Sequence, residues 1–171
     1  MKKTNQKVNL TNNEKFYHYF ILLFLAVLPV MSIYFLIQNH LGLYSGPRKP
    51  ENFYTIGGIG TLLITLFYAL QNRRLKFNVI HKVVDYKDIE IAVKQCSFEL
   101  DWDIILKTKN KIIATRKNNF AWGERITIII EQDKVLINSI CDPNKMTAIT
   151  SYGRNRENVE CFRKRINEMP S

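Results

Sequence analysis

Histidine is the side chain that most often serves as a catalytic base at neutral pH, so its positions limit the chemistry open to this chain. The sequence contains His18, His40 and His81, and its C-terminal half has no histidine. A Ser-His-Asp or Cys-His site there would need a histidine from another chain. Asp101 and Asp103 could form a carboxylate pair, but a solvated strand face explains them more simply. We therefore assign no catalytic residue and expect no enzymatic activity.

The cysteines give no sign of a metal or cofactor site. Cys96, Cys141 and Cys161 are far apart, and the sequence has neither a CxxC pair nor a Cys/His cluster that could hold zinc. It also lacks a phosphate-binding glycine loop, a dinucleotide fingerprint and an HExxH motif. Each thiol is expected to be a small core residue in a reducing, cytoplasmic setting. We assign no metal and no cofactor.

Two short segments could contact a partner or an anion. The loop Asn118–Gly123 carries Phe120 and Trp122, which either dock on a partner or bilayer or fold back to cap a sheet. Capping is favoured because Trp122 directly precedes a strand. Farther on, Arg154 and Arg156 approach a helix N-terminus, where N–H and guanidinium groups could bind an anion or lipid phosphate. Solvated arginines beside a glycine are the commoner arrangement.

Two apolar segments without charge predict a transmembrane helical hairpin. Residues 16–37 and 53–70 reach about 33 and 27 Å at a rise of 1.5 Å per residue, against a hydrocarbon core of about 30 Å. Aromatic residues border the first segment, as they do at membrane interfaces. A cleaved signal peptide is rejected because the apolar run continues past Pro29 with no small-residue cleavage site.

Small residues recur every fourth position along the second segment and predict where it packs. Close backbone approach along small side chains supplies the packing between membrane helices. We expect this stripe to face the first segment, and an oligomeric partner is the alternative. Its members are Gly57, Thr61, Thr65 and Ala69.

The charge is concentrated around the apolar segments and predicts their orientation. The net charge is +10, and ten of the 25 Lys and Arg precede residue 83, opposed only by Glu14 and Glu51. Residues 1–15 form a basic tail and residues 71–84 a basic juxtamembrane linker, whereas the loop 38–52 holds two cations. The positive-inside rule then places both termini in the cytoplasm, with the loop outside the inner (plasma) membrane. The linker cations predicted to contact lipid headgroups are Arg73, Arg74, Lys76 and Lys82.

The sequence pattern of residues 85–171 predicts a small cytoplasmic α+β domain. Apolar residues at helical spacing predict a helix at each end of this region, and four strand patterns lie between them. The first strand, Trp102–Lys107, is expected to be mostly buried. The helix positions are Ile89, Ala92, Val93 and Cys96 at the start and Val159, Phe162, Ile166 and Met169 at the end. The turns fall at 109–110 and 132–133. The order helix, four antiparallel strands, helix gives a two-layer sandwich, with both helices on one face of the sheet.

Three stretches within Trp122–Phe162 carry a resemblance. They read WGERITIII, VLINSICDPN and SYGRNRENVECF. They resemble small uncharacterised bacterial two-span membrane proteins. This resemblance implies no established activity and adds no site residue.

The sequence thus favours a membrane-anchored accessory or interaction protein that presents a small domain at the inner membrane surface. Expected partners are membrane lipids and another membrane protein or a second copy of this chain, with no nucleic acid, because the basic charge flanks the spans and does not coat the domain. The alternative is a lipid-surface or signal-responsive module that binds anionic headgroups or a small anion.

Overall fold

The computed structural model describes residues 3–117, 123–145 and 151–169. Its described residues fall into two compact units. We call Tyr19–Arg73 the hairpin unit, and the chain on both sides of it the sheet unit.

Two long helices make up most of the hairpin unit: α1 (Asn12–His40) and α2 (Glu51–Arg74). Both are long and apolar enough to cross a membrane, with mean hydropathy of 2.7 and 1.7 over their most apolar stretches. They extend beyond the predicted boundaries at both ends. After α1, Gly42 takes a φ of +70°, and Leu43 N–H donates to the Gln38 carbonyl at 2.9 Å. This Schellman closure uses a backbone conformation that glycine adopts without strain.

Glycines bring α2 close to α1. A Cβ added to Gly57 would lie 3.1 Å from the Cβ of Ser32, and one added to Gly60 would lie 2.9 Å from the Cδ of Pro29. Gly60 is fully enclosed, whereas Gly58 has open space around it. The contact between the two helices therefore depends on the absence of side chains at 57 and 60.

Within the hairpin, only part of the predicted packing stripe contacts α1, and packing of the stripe on an oligomeric partner stays a prediction. Gly57 lies at the contact with α1, but Thr61, Thr65 and Ala69 are exposed within the hairpin. The two threonine hydroxyls donate to carbonyls of their own helix, Gly57 O at 2.9 Å and Thr61 O at 3.0 Å. The four-residue spacing of small residues predicted one face of α2 as the contact, whereas the close contact with α1 lies on a neighbouring face that includes Gly60.

Gly60→Ala should destabilise the hairpin by about 1–3 kcal/mol, because the new methyl group would meet the Pro29 ring and the Leu28 Cβ. Gly58→Ala is the matched control, since it adds the same methyl group to the same helix in open space. Thermal unfolding of the two full-length variants in detergent micelles measures the difference. Equal melting temperatures would contradict the assigned contact.

The sheet unit contains six strands and two helices. The strands are β1 (Lys3–Lys7), β2 (Lys76–Ile80), β3 (Trp102–Lys107), β4 (Lys111–Arg116), β5 (Glu124–Ile130) and β6 (Val135–Cys141). The helices are α3 (Tyr86–Leu100) and α4 (Arg154–Glu168). The sheet is antiparallel throughout, in the order β1-β2-β6-β5-β4-β3.

Six strands replace the four that were predicted, because both basic segments flanking the hairpin contain a strand. β2 lies in the predicted linker 71–84 and β1 in the predicted tail 1–15. β2 pairs with β6, through Asn78 opposite Ile137, and β1 covers the outer edge of β2. Neither strand is a long apolar run in sequence. β2 forms because the backbone groups at the open edge of β6 need hydrogen-bond partners.

The main core lies between α3, α4 and one face of the sheet. Buried apolar side chains alternate along the strands, as residues on one sheet face must. The cluster includes Ile89, Ala92, Val93, Cys96, Ile112, Ile126, Ile128, Ile137, Val159, Phe162 and Ile166. The helix-face positions predicted from sequence at 89, 92, 93, 96, 159, 162 and 166 are buried, and Met169 is partly buried against the same core.

The opposite face of the sheet also carries buried side chains. Phe77, Leu136 and Ile140 are each at most 2% exposed and alternate with core positions. On this face the first turn of α1 contacts the sheet, where Glu14 forms an ion pair with Arg125. The central strands thus bury side chains on both faces, whereas the predicted two-layer sandwich covers only one face.

Candidate functional site

Polar side chains converge where four strands end beneath the first turn of α4. Trp102 pairs with Arg116, Arg116 with Glu124, and Glu124 with Cys141, so these residues form one row across the sheet. By alternation they face the same side as the apolar core. We call this set the polar row.

Asn158 of α4 joins the row to the helix. Its side-chain oxygen accepts hydrogen bonds from Trp102 Nε1 at 3.0 Å and from Arg116 Nη1 at 3.2 Å. Its Nδ2 donates to Ser139 Oγ at 3.0 Å, and Ser139 Oγ donates to Asn155 Oδ1 at 3.0 Å. Asn158 is fully buried, so each of these bonds satisfies a group that water cannot reach.

A buried ion pair lies beside this network. Glu124 is 1% exposed, and Arg154 Nε lies 3.1 Å from its Oε2. Burial raises the pKa of the Glu124 carboxyl, and the positive charges of Arg154 and Arg116 oppose that rise. Arg154 also donates from Nη2 to the Lys117 carbonyl at 2.8 Å, which ties the start of α4 to the end of β4.

Among the described residues, neither the polar row nor its neighbour Ser139 pairs a nucleophile with a catalytic base. Ser139 Oγ is bonded to two asparagine side chains, and burial raises the pKa of the Cys141 thiol while Arg74 opposes that rise. Within residues 3–117, 123–145 and 151–169, no group of three or more His, Cys, Asp and Glu could hold a metal ion. The arrangement fixes α4 on the sheet through hydrogen bonds and paired charges.

No known protein family, curated protein or solved structure matches this chain.

The two arginines predicted to bind an anion do not converge. Arg154 turns into the polar row, whereas Arg156 is exposed and pairs with Glu160 one turn along α4 at 2.6 Å. Each guanidinium already has a carboxylate partner. The structure thus gives Arg154 a structural position and leaves Arg156 on the surface.

The four linker cations are divided between the two ends of the sheet. Arg73, Arg74 and Lys76 lie around the end where α2 passes into β2. Lys82 follows the far end of β2, and its Nζ donates to the carbonyls of Ile166 at 3.1 Å and Met169 at 2.5 Å. Lys82 thus caps the C-terminus of α4. The assignment of the four cations as headgroup contacts stays a prediction.

Phe120 and Trp122 lie outside the residues that the structure describes. Their assignment as partner contacts or as a cap stays a prediction.

Sequence reasoning missed Asn158 and Glu124, although a signal for each exists. Glu124 shares a strand face with Ile126 and Ile128, and Asn158 precedes Val159 on the buried side of α4. A polar residue at a position where the pattern expects an apolar one marks a buried hydrogen-bonded group.

Proposed function

We propose that this chain is a membrane-anchored interaction protein without enzymatic activity, in which the α1–α2 hairpin spans the inner membrane and the sheet unit lies at its cytoplasmic surface. The hydropathy of both helices supports the anchor. The pairing of the two strands that flank the hairpin supports the placement of the sheet unit at one membrane surface.

The pairing of β1 with β2 carries this proposal. β1 precedes the hairpin and β2 follows it, yet Lys3 lies opposite Asn78 and Lys7 opposite Lys76. The pairing continues with Val8 N–H donating to the Leu75 carbonyl at 3.0 Å. Strands on opposite sides of a bilayer cannot pair, so both ends of the hairpin belong on one side. This agrees with a loop that holds fewer Lys and Arg than either flanking segment.

Single cysteines in a cysteine-free background test the topology. Ser45→Cys, in the exposed connection between α1 and α2, should react with an impermeant maleimide on intact cells. Asn110→Cys, in the exposed β3–β4 turn, should react only after the cells are permeabilised. Labelling of Asn110→Cys on intact cells would show that the orientation is the opposite one. If neither variant is labelled on intact cells, Ser45 does not lie at the outer surface.

An apolar groove on α3 supports a protein as the partner. Phe98 is 92% exposed and Ile91 46% exposed, and both line a groove of about 770 Å³. Lys94, Glu99 and Arg165 border the same groove. An apolar centre ringed by charges of both signs suits a protein surface better than an anionic bilayer.

The alternative function, binding of anionic headgroups, is favoured by the cations at the hairpin end of the sheet. Lys7 and Lys76 are paired there in register, beside Arg73 and Arg74. Each cation near an anionic membrane surface contributes about 1 kcal/mol. Photocrosslinking from position 98 in native membranes separates the two functions. A protein adduct supports the interaction protein, and adducts with lipid alone support the alternative.

A further inference from the structure

Two of the three cysteines meet where α3 packs on α4. Cys96 of α3 and Cys161 of α4 are 65 residues apart in sequence, yet their sulfur atoms lie 2.8 Å from each other. Both are free thiols. A disulfide needs two cysteines whose sulfurs face each other across such an approach, and the packing of the two helices provides it. Cys141 lies on β6, with Asn155 Nδ2 at 4.0 Å from its sulfur.

The two thiols differ in their access to solvent. Cys96 is fully buried in the core, whereas Cys161 is partly exposed and lines a surface groove of about 330 Å³. The Cys161 thiol donates a weak hydrogen bond to Glu99 Oε2 at 3.6 Å, and Arg165 binds the same oxygen at 2.7 Å. A small reagent can therefore reach Cys161 first, with Cys96 directly behind it.

We propose that Cys96 and Cys161 form an oxidation site, at which a low-molecular-weight disulfide converts the two thiols into a disulfide that joins α3 to α4. The Cys161 thiolate attacks one sulfur of the reagent, forms a mixed disulfide and releases one thiolate. The Cys96 thiolate then attacks the Cys161 sulfur and expels the second thiolate. The protein loses two electrons and two protons, and the reagent leaves as two thiols.

The surroundings make this pair slow to react. Burial raises the pKa of both thiols, and at Cys161 the Glu99 carboxylate raises it further while Arg165 opposes it. Little thiolate is then present at neutral pH, so a reducing cytoplasm keeps the pair open. Sustained oxidation closes it and locks the two helices that cover the sheet.

Thiol counting on the full-length protein in detergent tests the site. The protein is incubated with oxidised glutathione, denatured and alkylated with a maleimide-linked polymer. Wild type should fall from three reactive thiols to one, and the peptides carrying Cys96 and Cys161 should be found joined with the loss of two hydrogens. Cys141→Ser should lose both of its remaining thiols in the same way.

Matched variants separate this site from simple surface modification. Cys161→Ser should keep both remaining thiols, because the reagent cannot reach Cys96. Cys96→Ala should accumulate glutathione on Cys161 without a crosslink. Oxidation should raise the melting temperature of wild type and leave that of Cys161→Ser unchanged. Retention of all three thiols in wild type, or a stable glutathione adduct on Cys161 with Cys96 still free, would overturn the proposal.

Discussion

A chain in which residues 9–74 are replaced by an Asn-Gly turn should keep a folded six-stranded domain, whereas a chain that begins at Val83 should aggregate. In the first protein, Val8 and Leu75 become the closing pair of a two-residue hairpin, the connection that Asn-Gly favours. All six strands are kept. Arg125 loses its ion pair with Glu14, but removal of α1 also opens that side chain to water.

The shorter chain loses β1 and β2. Without β2, the backbone groups of β6 along Val135–Cys141 form an unprotected edge. The core also loses Ile80, which is 5% exposed, and the opposite face of the sheet loses Phe77, which is 1% exposed. Removal of one large buried side chain costs about 2–5 kcal/mol, and the loss of two exceeds much of the stability of a small domain.

Size-exclusion chromatography and thermal unfolding compare the two proteins. The hairpin-deleted protein should elute as a discrete folded species and unfold cooperatively. The chain from Val83 should be insoluble or lack a transition. If the shorter chain unfolds with the same midpoint, β1 and β2 are dispensable, and the domain is the one predicted from sequence.

Glu14→Ala should lower the free energy of unfolding by about 3–5 kcal/mol, the cost of leaving a buried charge without its partner. Glu14 is 7% exposed, and its Oε1 accepts a hydrogen bond from Arg125 Nη1. Two further nitrogens of Arg125 are buried without a hydrogen-bond partner in the described part of the chain. The Glu14 carboxylate also accepts from Thr11 N–H at 2.8 Å, in a capping box that starts α1.

Three variants show which contact matters. Thr11→Ala, which removes the hydroxyl half of the capping box, should cost about 1 kcal/mol. Glu90→Ala, which breaks the exposed pair with Lys107, should change stability little. Thermal unfolding of the full-length proteins in detergent gives the comparison.

The double variant Glu14→Leu/Arg125→Leu should recover much of the loss, because no charge then remains buried. An effect of Glu14→Ala no larger than that of Glu90→Ala would contradict the burial of this pair.

The local sequence pattern was sufficient to predict the elements that bury one face. The spacing of Ile89, Val93 and Cys96 predicted α3, and the structure buries all three side chains. The turn predicted at residues 132–133 does join β5 to β6. These elements could be predicted because a periodic apolar face must be covered, whatever covers it.

Position within the sheet could not be predicted in the same way. The pattern of Trp102–Lys107 predicted a mostly buried strand, but β3 is an edge strand, and the side chains of Ile104, Ile105 and Leu106 are 41–65% exposed. The register with β4 also shifts between Ile104 and Leu106. A bulge of this kind makes an edge less able to pair with another chain. Apolar content shows that a strand forms, not how many neighbours it has.

The amino-acid sequence by itself determined two apolar helices, an antiparallel sheet after them and a pair of amphipathic helices, because each follows from local periodicity and length. The tertiary structure alone decided that Lys3–Lys7 and Lys76–Ile80 are neighbouring strands, that Glu14 meets Arg125, and that Cys96 meets Cys161. Those partners are separated by about 65 residues or more along the chain. Such contacts depend on which backbone edges and buried charges remain unsatisfied once the rest of the fold has formed, and no local pattern records that.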